Sequence, residues 1–227
     1  MAARPGGAPD CVTAPFRAAH RYVTSFPALD PYRASRRDAV IGPLEPMPAP
    51  TPAPHGGKLF AYMARDWPRF GDLLQALMAL GPRAGVFTPG LSQAQATLLR
   101  SRGVHVFDGP PPLDQLLPRV RAVLSHGGTG TAHAALAACR AHLIAPRHDE
   151  AWTTLRLLEA TGAGFALPAG GAAEIVTACL GALGDDALAA RAFAAGKDAC
   201  GGIAPGAAET LASAIAESAQ RHRARGL

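Results

Sequence analysis

From Leu59 onward the sequence alternates short apolar runs with longer segments of helical period, and no other feature constrains the fold as tightly. The runs at 59–63, 85–88, 104–107, 122–125, 141–145 and 164–167 are short and largely apolar, as strands inside a covered sheet must be. Between them, 68–80 places Phe70, Leu73, Leu74 and Leu77 at i, i+3, i+4 and i+7, one face of a helix. Helical segments are also expected at 91–102, 128–139 and 149–161, with Ala-rich helices over 171–223. Strands alternating with helices imply an α/β fold: a doubly wound parallel sheet with helices on both faces. Ligands of such sheets bind at the carboxyl ends of the strands.

The chain before Leu59 reads differently. Residues 1–42 have few periodic apolar positions, and Pro27 and Pro31 bias their predecessors away from helix, so 26–32 is turn and extended chain. This stretch cannot bury itself alone. Residues 43–57 carry prolines at 43, 46, 48, 50, 52 and 54, a run that lacks amide donors and favours polyproline II. The expected organisation is a remnant of a preceding domain over 1–42, a semi-rigid Pro-rich linker over 43–57 and one globular domain over 58–227. With 227 residues the chain holds one domain, or one and part of another. At 48% apolar and 17% charged residues it has the material for a core. No apolar stretch reaches the roughly 20 residues of a membrane span, so no integral membrane segment is expected. The opening residues lack an apolar h-region, and the expected location is cytoplasmic.

The net charge of +5 raises the question of nucleic acid. Only Lys58 and Lys197 among the 22 basic side chains are lysines, and the arginines are dispersed without interleaved aromatics, so a base-stacking surface is excluded. Positive charge remains available to attract an anionic small molecule. Cys11, Cys139, Cys179 and Cys200 are widely spaced in Ala-rich surroundings; buried free thiols are expected, with no disulfide framework or zinc site.

The segment that carries chemistry runs from Ser125 to Leu136, Ser-His-Gly-Gly-Thr-Gly-Thr-Ala-His-Ala-Ala-Leu. It leaves a strand at Ser125 and enters a helix near Gly128, with Ala132, Ala135, Leu136 and Cys139 as the buried stripe. The first amides of a helix lack internal partners and sit at the positive end of its dipole, which makes such a junction an anion site. Gly127, Gly128 and Gly130 remove Cβ atoms that would keep a diphosphate from the backbone. Thr129 and Thr131 add hydroxyls, and His126 an imidazole. The competing reading is a plain strand-to-helix turn in which His126 is an ordinary loop residue.

The block Leu117-Pro118, then 125–131, then Leu143-Ile144-Ala145-Pro146, Asp149-Glu150 and 158–164 (Leu-Glu-Ala-Thr-Gly-Ala-Gly) resembles the nucleotide-sugar-binding C-terminal half of GT-B fold glycosyltransferases. The similarity is greatest to the bacterial branch related to macrolide and glycopeptide glycosyltransferases and UDP-glucuronosyltransferase-like enzymes, and it covers about 58–215. It implies a Rossmann-like domain. Residues 26–32 and 41–44 are similar to the last piece of the acceptor domain before the interdomain linker.

Carried over by residue, the resemblance implies that His126 contacts the donor diphosphate and that Gly127, Gly128, Thr129, Gly130 and Thr131 surround its phosphates. Asp149 and Glu150 stand where the family has an acidic residue followed by Gln facing the sugar hydroxyls; Glu150 accepts hydrogen bonds but cannot donate as an amide does. Asp149 has a structural alternative as the cap of the helix containing Trp152, Leu155 and Leu158. Ala134 replaces the ribose-binding Glu of plant members. Pro111, Pro112 and Leu113 lie in the 109–118 loop that meets the nucleobase in relatives, or else form a simple turn. His105, His133, His142 and His148 have no metal spacing, the tail from Arg221 to Arg225 reads as a solvated helix end, and no metal or cofactor is expected beyond the nucleotide-sugar substrate.

The function so implied is the donor domain of a hexosyltransferase, binding a UDP- or TDP-sugar for inverting transfer to a hydroxyl acceptor. In the family the acceptor pocket and the general base belong to the other domain, so the chain is expected to be incomplete by itself. It is then a truncated or split enzyme, the donor subunit of a two-chain enzyme as in a eukaryotic N-acetylglucosaminyltransferase, or a non-catalytic nucleotide-sugar-binding module or remnant. A separate acceptor-domain chain is the implied partner.

Overall fold

A computed structural model describes residues 21–203 and 206–224. The opening residues, Cys11 and Arg225 lie outside this range. In chain order the elements are β1 (Tyr22–Val23), β2 (Ala39–Val40), β3 (Lys58–Tyr62), α1 (Phe70–Leu80), β4 (Ala84–Phe87), α2 (Gln93–Ser101), β5 (His105–Val106), α3 (Leu113–Leu116), β6 (Val120–Ser125), α4 (Thr129–Ala137), β7 (Ala141–Ile144), α5 (Asp149–Thr161), β8 (Gly164–Ala166), α6 (Ala172–Gly184), α7 (Asp186–Gly201) and α8 (Ala207–Ala224).

Strands β3 to β8 form one parallel sheet in the order β5-β4-β3-β6-β7-β8. The chain starts in the middle at β3, works outward through β4 and β5, then returns to the other side of β3 and works outward through β6, β7 and β8. This is the doubly wound order of a dinucleotide-binding sheet, and its direction reverses between β3 and β6. Every residue of β4, β6 and β7 is buried, which is why these strands read as apolar runs without alternation. Side chains of β3 alternate between two cores. Leu59 and Ala61 join Leu73 and Leu77 of α1 and Ile175 and Cys179 of α6. Phe60 joins Val123 and, from α4, Ala134 and Ala135. The two faces are therefore covered by different helices, with α1 against α6 and α2, and α4 against α5 and α7. Helix α5 occupies the residues its periodicity predicts, and the other expected elements shift by one or two residues.

Two regions contain more structure than their sequence implies. The 109–118 turn includes the single helical turn α3, too short for a 3.6-residue period to show. Ahead of β3, β1 and β2 pair in parallel, and the segment between them buries Phe26 and Leu29 in the main core. Phe26 meets the His133 ring edge-on at 5.5 Å, and Ser25 Oγ lies 2.9 Å from His133 Nε2. This segment buries Phe26 and Leu29 in the same cluster as Leu59 and Ala61 of β3. The Pro-rich stretch has no helix or strand between 43 and 57. It is held by the fully buried Arg140, whose guanidinium donates to Thr51 O and Thr51 Oγ1 at 2.9 Å, and to Leu117 O at 2.8 Å and Pro118 O at 3.1 Å.

Cys139 and Cys179 are buried and Cys200 half-buried, all three as free thiols, and burial pushes Cys179 up to about 12. Among the described residues no helix is long and apolar enough to cross a membrane.

Candidate functional site

Where the sheet order reverses, the ends of β3 and β6 open a cleft of ≈350 Å³ lined by Tyr62, Ala64, Pro89, Ser125, His126, Gly128, Thr129, Gly130 and Thr131. A doubly wound sheet places its ligand at this crevice. Five of the six residues expected at a diphosphate, His126, Gly128, Thr129, Gly130 and Thr131, line it together. Gly127 lies just beneath as the hinge of the turn, at φ +81°, where an added Cβ would meet Ile144 Cγ2 at 2.8 Å. Only glycine combines that backbone conformation with that proximity.

The turn delivers the chain to α4, whose cap Gly128 offers no side-chain bond and whose first turn holds no acidic residue. Among the described helices of comparable length, α2, α5 and α7 are capped by the side chains of Ser92, His148 and Asp185, while α1 and α6 also lack a side-chain cap but carry Asp72 and Glu174 in their first turns. The first amides of α4 lie at the positive end of its dipole, on residues that line the cleft.

The histidine is placed differently from a free phosphate ligand. His126 Nε2 lies 2.6 Å from the backbone N of Ala64 and accepts its proton, while Nδ1 lies 3.4 Å from Ala145 O. A ring accepting at Nε2 and donating at Nδ1 is neutral. Burial lowers its proton affinity below the ordinary histidine value, with the Ala145 carbonyl opposing. His126 thus ties the loop after β3 to the loop after β6 across the reversal point. An Asp66–Arg147 ion pair of 2.6 Å links the loops after β3 and β7 beside it, and Arg147 holds the Asp66 carboxyl below its usual range.

Glu150 reaches the same end of α4, accepting from Thr129 Oγ1 at 2.6 Å. Asp149 is the first residue of α5 and not its cap; His148 caps the helix, its Nδ1 accepting from Ala151 N at 3.3 Å. Asp149 lines a separate shallow hollow with Trp152, Thr153 and Arg156. Pro111, Pro112 and Leu113 do not line the cleft; Leu113 and Leu116 pack on the cluster beneath α4. Tyr62, Ala64 and Pro89 do line it. Sequence reading passed over them because their signal is topological: Tyr62 ends β3, Ala64 follows it, and Pro89 follows the neighbouring β4. Among the described residues, no group of three or more His, Cys, Asp or Glu side chains is placed to hold a metal ion.

No protein-family model and no curated protein sequence matches the chain. Solved structures do. LpCGTa in complex with UDP superposes with a TM-score of 0.65 at 16% identity, over 90% of this chain and 56% of that one. The spinosyn rhamnosyltransferase SpnG complexed with thymidine diphosphate gives 0.64 at 22% identity, over 86% and 56%. The glycotransferase of kitacinnamycin gives 0.64 at 16% identity, over 87% and 54%. The chain spans about half the length of each. The expected likeness to antibiotic glycosyltransferases of GT-B fold is therefore met at the level of architecture: this chain has the Rossmann-like α/β fold that accounts for about half of such an enzyme.

Proposed function

We propose that the chain is the nucleotide-sugar-binding half of a glycosyltransferase, taking the diphosphate of a UDP- or TDP-sugar in the cleft between β3 and β6. The observation that carries this reading is the convergence of an uncapped, acid-free helix N-terminus with a glycine hinge at the reversal point of a doubly wound sheet. The fold neighbours that hold UDP and thymidine diphosphate support it.

In this reading the amides of Gly128, Thr129 and Gly130 and the Thr131 hydroxyl bind the phosphates. As an acceptor hydroxyl attacks the anomeric carbon, the bond to the diphosphate breaks, and those fixed dipoles stabilise the charge on the departing oxygen. His126 acts as a neutral brace that ties the two loops to each other beside the cleft. Glu150, at the mouth of the same helix, faces the sugar hydroxyls and must release Thr129 Oγ1 if that hydroxyl is to reach a phosphate. Asp149 extends the sugar side outward, and the 111–113 turn approaches the base only from beside α4. Inverting transfer also needs a general base. Among the residues lining the cleft the one imidazole already accepts a backbone proton, so base and acceptor pocket come from an acceptor domain. The same observation favours a second reading, a binding subunit without turnover of its own. Calorimetric titration with UDP, TDP and their sugars tests the shared core of both: a measurable Kd for at least one is expected, and no heat with any of them refutes the proposal.

A further inference from the structure

We propose that Ser125 and His142 are a pair of positioning residues that preset the turn at 126–129 for its ligand, a role that rests on the reading of the cleft given above. Ser125 is the last residue of β6, and His142 lies on the neighbouring strand opposite Val123. Val123 and Ser125 share a face of β6, so the ring reaches one step along the strand to the serine hydroxyl. His142 Nε2 lies 2.7 Å from Ser125 Oγ, and Ser125 Oγ accepts from Gly127 N–H at 3.0 Å. Both side chains are buried. The chain of contacts runs from the core through a hydroxyl to the amide of the glycine at φ +81°, and from there to the cap of α4.

Either neutral tautomer of the ring leaves Ser125 Oγ free to accept the Gly127 proton. A serine hydroxyl alone samples three rotamers. Fixed by the imidazole, it stays in the one that faces Gly127. The ring is an expensive choice for any other purpose: it is fully buried, and its Nδ1 has no hydrogen-bond partner. An aliphatic side chain of similar volume would fill the space without an unpaired polar atom. What only a polar ring supplies at 142 is the hold on Ser125. Burial also pushes its proton affinity down to about 3, so the contact does not titrate at ordinary pH. A turn already set by its support spares the ligand the ordering of the loop.

The test uses the full chain, ¹⁵N-labelled, with two readouts: hydrogen exchange at the Gly127 amide by NMR, and calorimetric Kd for UDP. Ser125→Ala and His142→Leu should each speed Gly127 exchange and raise the Kd, both by about tenfold, the scale of one lost hydrogen bond. The Tm of His142→Leu should stay level or rise, because the unpaired nitrogen is gone, and a purely structural histidine would not separate affinity from stability in this way. His142→Gln, which can still reach Ser125 Oγ, should recover both readouts and supplies the comparison if the leucine variant does not fold. Unchanged Gly127 exchange in Ser125→Ala overturns the proposal, as does faster exchange with an unchanged Kd. If the unaltered chain binds no nucleotide, the proposed function fails, while the amide exchange still decides whether the pair sets the turn.

Discussion

Replacing His126 by Ala separates a neutral brace from a charged phosphate ligand. The substitution removes the acceptor for Ala64 N–H, 2.6 Å away, and a weak donation to Ala145 O at 3.4 Å. A neutral hydrogen bond contributes a net ~0.5–1.5 kcal/mol, whereas one to a charged group contributes ~1.5–3 kcal/mol. At 1.4 kcal/mol per tenfold, the first range is about 2- to 12-fold in Kd and the second about 12- to 140-fold. Because burial keeps the ring neutral, the smaller range is expected. The loss should also be the same at pH 6.5 and pH 8, since a neutral brace has no charge to lose across that interval. Calorimetric titration of both proteins with UDP at the two pH values provides the measurement, with the titration of UDP itself cancelling in the ratio. A loss above about 30-fold at pH 6.5 that shrinks by pH 8 would refute the neutral assignment, because only an imidazolium on the phosphate behaves that way.

Other perturbations test the frame around the site. At Gly196 on α7, an added Cβ would stand 2.3 Å from Leu136 O and 2.5 Å from Cys139 Sγ, whereas at Gly181 on α6 nothing lies within 4 Å. Gly196→Ala should therefore lower stability by ~1–3 kcal/mol through overpacking, and Gly181→Ala should raise it by ~0.5–1 kcal/mol through helix propensity; thermal melts giving the same sign for both would contradict the packing described. Arg140→Met removes the donor shared by Thr51, Leu117 and Pro118, and limited proteolysis should then cut within 43–57 at least several times faster, with equal cutting rates counting against the clamp. On acidification, His126, His133 and His142 all hold protons more weakly than an ordinary histidine because they are buried. The unfolded chain then takes up protons first, so stability is full above about pH 6.5 and falls as pH drops toward the folded values. For His142 the shift from 6.5 to about 3 amounts to about 5 kcal/mol, of which about 3 kcal/mol is lost by pH 4. A Tm that declines less steeply below pH 6.5 in His142→Leu is expected; an identical slope would sink the assignment.

Much of the fold was legible because its causes are local. Strands buried on both faces must be apolar throughout, and helices laid on a sheet must be apolar on one side, so β3 to β8 and the long helices announced themselves by period. The glycine-rich junction was legible for the same reason: a turn at positive φ leading into a helix without a cap needs glycine in sequence, and Gly127 is that residue. The cap of α5 was not legible: the sequence offers Asp149 as a cap, whereas the backbone places Asp149 inside the first turn and leaves the cap to His148.

By itself, the amino-acid order determined the alternation of elements, the sheet class and the glycine turn at the end of β6. Tertiary structure alone decided what each polar group there does. His126 finds Ala64 across 62 positions, His142 finds Ser125 across 17, and Arg140 finds Thr51 across 89. Hydrogen bonds act within about 3 Å, and no local period reports which distant residue folding brings inside that distance. The residue types of the turn are therefore written in the sequence, while its protonation and its bracing arise from the packing of strands far apart along the chain.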